Sequence, residues 1–173
     1  MIRLFCGFDQ REGPRFFGSR DAGMPLIARR DVLPQILDGL ERLAGITGQW
    51  VDLLNELREV IPQLPATARG DVWVRIARVY SDKLNHLDYA LASLGEAQKL
   101  TIPDAEKPAF LSLRADLCRR AQRWKDLADT LGQIAELTEA KDKRVDLYLE
   151  QGEIFETRLS DNAAAIAASS NCV

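Results

Sequence analysis

The stretch Trp73-Val74-Arg75-Ile76-Ala77-Arg78-Val79-Tyr80 decides how this chain folds. A large residue is followed after two positions by an aliphatic and a small one, and after two more by an aromatic. Trp73 and Tyr80 stand seven residues apart, about two helical turns, so both side chains fall on one face of a helix. Ten residues past Tyr80 comes Ala90, then Leu94 and Ala97, with Pro103 shortly after. Helical spacing thus continues through a second segment, and a proline stands where a helix must end or the next one start.

Working outward from this stretch uncovers a period. An offset of 37 before Trp73 gives Ile36, followed by Leu40 and Leu43; the same offset after it gives Phe110, followed by Leu113 and Leu117. A further offset of 38 reaches Tyr148, followed by Gly152 and Phe155. Ile36, Trp73, Phe110 and Tyr148 open four units, and Leu43, Tyr80, Leu117 and Phe155 close their first helices. The second helices recur as well, two units apart. Trp50-Val51-Asp52-Leu53 with Leu57 returns as Trp124-Lys125-Asp126-Leu127 with Leu131. Lys83-Leu84 with Ala90 returns as Arg158-Leu159 with Ala165. Alternate units therefore resemble each other. A two-helix unit of this size cannot bury its own apolar face and must stack on its neighbours. Ala77, Ala90 and Ala97 let neighbouring backbones approach, and loss of the Trp73 or Trp124 side chain is expected to cost ~3–5 kcal/mol.

The 73–80 stretch resembles the opening of a tetratricopeptide repeat, and Ala90, Leu94, Ala97 and Pro103 match that family's second helix and closing proline. The resemblance implies an all-α fold: an α-solenoid of about three and a half helix-turn-helix repeats, an α-α superhelix. Its units are expected at about 33–66, 70–103, 107–141 and 145–173, the last incomplete, after an irregular or short-strand segment over 1–32. Three features depart from the family. The spacing is 37–38 rather than about 34, Arg114 replaces a small residue, and the first unit has Gly39-Leu40 where an aliphatic-then-small pair is expected. Asp161 is placed to cap a short helix over Ala163–Ala168, which Ser169-Ser170 then ends. Gly45 with Gly48, and Pro62 and Pro65 with Gly70, fall between helical patterns.

Composition narrows the function. With 26 acidic and 23 basic residues the net charge is −3, which argues against general nucleic-acid binding. Cys6, Cys118 and Cys172 are scattered and His86 is the one histidine, so no cofactor and no metal site is expected. The apolar run in Met1–Phe8 is shorter than a secretory signal, no stretch is long enough to cross a membrane, and a soluble cytoplasmic protein is expected. Ile2–Glu12 resembles the first strand and turn of some nucleotide-sugar glycosyltransferases, but no Asp-x-Asp motif and no helix–strand alternation follow. Phosphate loops and hydrolase motifs are absent, so the chain is read as no enzyme. Cys118, beside Arg119 and Arg120, is either a reactive thiol or a partly buried helix residue.

The family's groove is lined by its first helices. By position this implies that Leu37, Val74, Leu111 and Leu149 form an aliphatic row, flanked by Glu41, Arg78, Ala115 and Glu153, then Asp82 and Arg119. Such a row suits an extended or helical peptide whose acidic groups meet Arg78 and Arg119; the other reading is that part of the row is core. The expected function is a protein-interaction scaffold that binds a partner peptide or protein, with no membrane partner. The alternative is a structural module that forms homodimers through its carboxy-terminal end.

Overall fold

The computed structural model describes residues 33–100 and 102–170. The short-strand expectation for 1–32, and Cys6 and Cys172, lie outside the described residues. Among the described residues every regular element is helical. Eight helices follow one another: α1 (Leu33–Thr47), α2 (Trp50–Val60), α3 (Ala66–Asp82), α4 (Leu87–Gln98), α5 (Lys107–Arg120), α6 (Trp124–Leu137), α7 (Lys141–Thr157) and α8 (Asn162–Ser170). Each packs on the next in the chain.

Four hairpins carry the period into the backbone. Gly48, Asn85, Gln122 and Ser160 adopt positive φ between 53° and 73°, and they follow one another at the period of the sequence. Each stands in the turn between an odd-numbered helix and the even-numbered one after it. The left-handed residue folds the chain back so that the amides on either side of it return to the helix end. Leu84 N and His86 N thus donate to Val79 O and Tyr80 O, and Leu159 N and Asp161 N to Ile154 O and Phe155 O. Arg123 N does the same with Cys118 O.

Between α2 and α3 the chain makes one 3-10 turn over Ile61–Gln63. Arg69 fastens it, donating to Leu64 O at 2.8 Å and Pro62 O at 3.0 Å. Gly70 lies within α3 rather than before it, because that helix starts directly after Pro65, whose fixed φ suits a helix start. Gly45 likewise belongs to α1, and Gly48 alone makes that turn. Asp161 does cap α8, its carboxylate accepting the Ala164 amide at 3.0 Å, and the helix runs on through Ser169 to Ser170.

One continuous core runs from Leu33 on α1 to Ile154 on α7. Its deepest members are aliphatic and small: Ile76, Ala77, Ala90, Leu94, Ala97, Leu117, Cys118 and Ala128 have no exposure. The expectation that Trp73 and Trp124 anchor the core needs correction. Both, like Trp50, are only partly buried and pack against the core from outside, where a wide amphipathic ring is tolerated. The two recurring tryptophans, Trp50 and Trp124, have found matching partners. Lys83 Nζ stands 5.4 Å from the Trp50 ring centre, and the Arg158 guanidinium stands 4.8 Å from that of Trp124.

Burial on the first helices alternates too. The position one past the unit opener is buried in α1 and α5, at Leu37 and Leu111, but not in α3 and α7, where it is Val74 and Leu149. The positions four and six past it are buried in α3 and α7, at Ala77 with Val79 and Gly152 with Ile154, but not in α1 and α5. First helices of alternate units therefore share these buried positions, while the position seven past the opener is buried in both α3 and α5, at Tyr80 and Leu117. This corrects the closing position of the first unit, since Leu43 is 49% exposed and Ala44 takes its place. It also explains Arg114. On α5 the small residue needed inside is Ala115, which leaves Arg114 at the edge to donate to Gln98 Oε1 on α4.

Candidate groove between the first helices

The first helices are laced to one another by charge. Arg75 on α3 reaches α1, donating from Nη1 to Asp38 Oδ1 at 2.6 Å and Glu41 Oε1 at 3.0 Å. Arg120 on α5 reaches α3, donating to Ser81 O at 3.1 Å and standing 3.6 Å from Asp82 Oδ1. Arg119 on α5 reaches α7, donating to Glu150 Oε1 at 2.6 Å. Burial works against the Arg75 charge, but its hydrogen bonds and attraction to Asp38 and Glu41 outweigh it and hold the guanidinium pKa above its ordinary value.

Alongside the Arg75 bridge, α1, α3 and α5 leave an open depression of about 290 Å³. Leu33, Leu37, Val74, Ile102, Phe110 and Leu113 give it apolar walls. Its polar margin holds Asp71, Arg75, Arg78 and Glu106. Gly70 also faces it, and a Cβ there would meet nothing within 4 Å. Among the described residues Arg78, Asp71 and Glu106 form no ion pair, so their charges are available to an occupant.

The depression gathers some of the residues expected from sequence and not others. Leu37, Val74 and Arg78 meet in it. Leu37 is also core, at 3% exposure, and Leu111 is core alone, at 6%. Ala115 is buried between the helices. Glu41, Asp82 and Arg119 are held in the bridges that join successive first helices. Leu149 and Glu153 lie apart, in a shallow hollow between α7 and α8 shared with Ile166. The aliphatic row is thus split. Its first two members line the groove, its third is core, and its fourth is exposed.

Arg75, Phe110, Leu113 and Glu106 were not among the expected contacts. A signal for Arg75 stood in the sequence: Asp38 lies one period before it, so opposite charges occupy the same register of adjacent units. Nothing comparable marked Glu106, which reaches the groove because the linker after α4 bends there.

The other candidates are quiet. Cys118 is buried without exposure; burial pushes its thiol pKa up, with Asp126 adding to this, against the lowering pull of Arg114 and Arg123. Both work against the reactive-thiol reading. His86 is exposed at the start of α4, with its ring edge-on to Tyr89 at 5.9 Å. Among the described residues no group of three or more His, Cys, Asp or Glu could hold a metal, and no helix is long and apolar enough to cross a membrane. No protein-family model matches the chain, and no curated protein or solved structure matches it.

Proposed function

We propose that this protein is an interaction scaffold of the tetratricopeptide type, a short α-solenoid that holds a peptide segment of a partner protein in the groove between α1, α3 and α5. One observation carries the reading: an open apolar depression between three first helices, with an arginine at its edge that pairs with no acid among the described residues. At about 290 Å³ it lies at the low end of small-molecule pockets and suits one or two side chains of a bound chain. Leu37, Val74, Phe110 and Leu113 would take apolar anchors, while Arg78 would pair with a carboxylate beside them. The regular period of the hairpins and the bridges between successive first helices support the stacked-repeat reading.

The test is selection from a random peptide library on the purified protein, followed by titration of the enriched sequences. Peptides sharing an apolar anchor are expected, and they should lose at least tenfold in affinity against Gly70→Leu, which fills the groove from an open position. Arg78→Glu should weaken acidic peptides alone. Equal binding to wild type and Gly70→Leu would sink the groove assignment.

A second reading rests on α7 and α8, where Leu149 is 54% and Ile166 69% exposed on neighbouring helices. Two copies that buried this face against each other would form a homodimer. Mass by light scattering distinguishes them. A monomer at high concentration removes the dimer, and a dimer split by Ile166→Glu establishes it.

A further inference from the structure

The charges of the groove are sorted along its length. Asp71, Val74 and Arg78 line it from one face of α3, at helical spacing. Asp71 and Arg78 stand two turns apart, roughly 10 Å along the helix axis. Glu106, at the N-cap of α5, lines the groove as well. Arg120 at the end of α5 stands 3.6 Å from Asp82 at the end of α3, so the two helices run the same way and Asp71 and Glu106 both lie toward their starts. One end of the groove is therefore anionic and the other cationic, with Val74, Phe110 and Leu113 as an apolar floor between them.

The two carboxylates are open because the cations beside them are engaged elsewhere. Arg75 lies one turn past Asp71, a spacing that favours an ion pair, yet it turns to Asp38 and Glu41 on α1 at 2.6 and 3.0 Å. Arg69 is taken up by the carbonyls of Leu64 and Pro62. Lys107, next to Glu106, pairs with Asp104 at 2.6 Å. The Glu106 side chain makes no cap hydrogen bond to its own helix. Among the described residues Asp71 and Glu106 thus face the groove with their charges uncovered, and Arg78 does so at the far end.

We propose that the segment held in this groove is an extended peptide of two signs: a lysine or arginine against Asp71 and Glu106, an apolar anchor over Val74 and Leu113, and an aspartate or glutamate on Arg78. This rests on the reading of the groove as a peptide site and states which peptides it takes. The depression has room for one or two side chains, which suits a chain crossing it extended rather than a helix laid along it. At about 3.3 Å per extended residue the two charges fall three or four residues apart. A wholly acidic segment meets repulsion at the Asp71 end and a wholly basic one at Arg78, so charge fixes both the choice of segment and its direction.

The experiment selects from a random peptide library on the purified protein and on a charge-reversed variant carrying Asp71→Lys, Glu106→Lys and Arg78→Glu. All three positions are exposed, and circular dichroism checks that helix content is kept. The wild type is expected to enrich an apolar anchor flanked by a base and an acid in one order. The reversed variant should enrich the opposite order and bind the wild-type peptides roughly tenfold or more weakly. A paired substitution then locates the contact. Replacing the peptide's base with glutamine should lose about fivefold against wild type, the scale of an ion pair open to water, and nothing further against Asp71→Asn with Glu106→Gln. Losses that add would place the base elsewhere and overturn the proposal. Anchored peptides that Gly70→Leu blocks, but that lack the two charges or ignore their reversal, overturn it too and leave the peptide site standing. Peptides indifferent to Gly70→Leu remove the site itself, and the proposal with it.

Discussion

Leu117 and Leu127 are enclosed on all sides, at 0% and 1% exposure, while Trp73 keeps part of its ring in solvent. The cost of truncation follows enclosure rather than size. Leu117→Ala and Leu127→Ala are expected to lose ~2–5 kcal/mol, and Trp73→Ala less than either, as read from urea denaturation midpoints. Cys118 gives a chemical test of the same enclosure. At pH 8 an alkylating reagent should leave it unlabelled in the folded protein and label it in denaturant, with peptide mass as the readout. Its pKa is raised on folding, so the fold favours the protonated thiol. That stability is full below the ordinary thiol value of 9.0 and is lost as pH climbs through the folded value. Gln122 stands at φ 56°, where Gly48 in the matching turn of the first unit stands at 73°. An L-residue other than asparagine is strained there, so Gln122→Gly should stabilise by up to about 1 kcal/mol, and Asn85→Gly by less.

A helix in this protein is held by two kinds of contact, apolar packing toward its chain neighbours and charged bridges toward the next first helix. The α1–α3 bridge is the most developed, because Arg75 is only a quarter exposed and meets two carboxylates. Removing it with Arg75→Ala is expected to cost about 1 kcal/mol, the upper range for a pair open to water. Hydrogen exchange should rise in α1 selectively. An equal rise in α7 would mean that Arg75 acts on the whole chain rather than on its neighbour. Asp38 and Arg75 were legible as a pair one period apart, whereas Arg119 and Glu150, whose separation is off the period, were not. That bridge depends on how α5 and α7 are turned, which spacing does not encode.

Stability across the whole molecule is uneven. The core is continuous from α1 into α7, but α7 and α8 bury little beyond Gly152, Ile154 and Ala168. A helical stack loosens first where it buries least. Amide exchange is therefore expected to be fastest in α8 and slowest in α3 to α6. Uniform exchange through all eight helices would show that they unfold as one unit.

The hydrophobic period by itself determined the helical class, the division of each unit into two helices, and the kinship of alternate units. Each of these follows from local spacing: which side chains share a face, and where the chain must reverse. Tertiary structure decided what those faces meet. The opener-to-closer spacing was the same in every unit, yet α1 and α5 bury the position one past the opener while α3 and α7 bury those four and six past it. Spacing does not encode that difference, and only packing against neighbouring helices fixes it. That packing sent Leu111 into the core, left Leu149 in solvent and brought Leu37, Val74 and Arg78 together around a groove. Register along a helix is written in the chain; which of its positions are enclosed is set by the surfaces it has to fill.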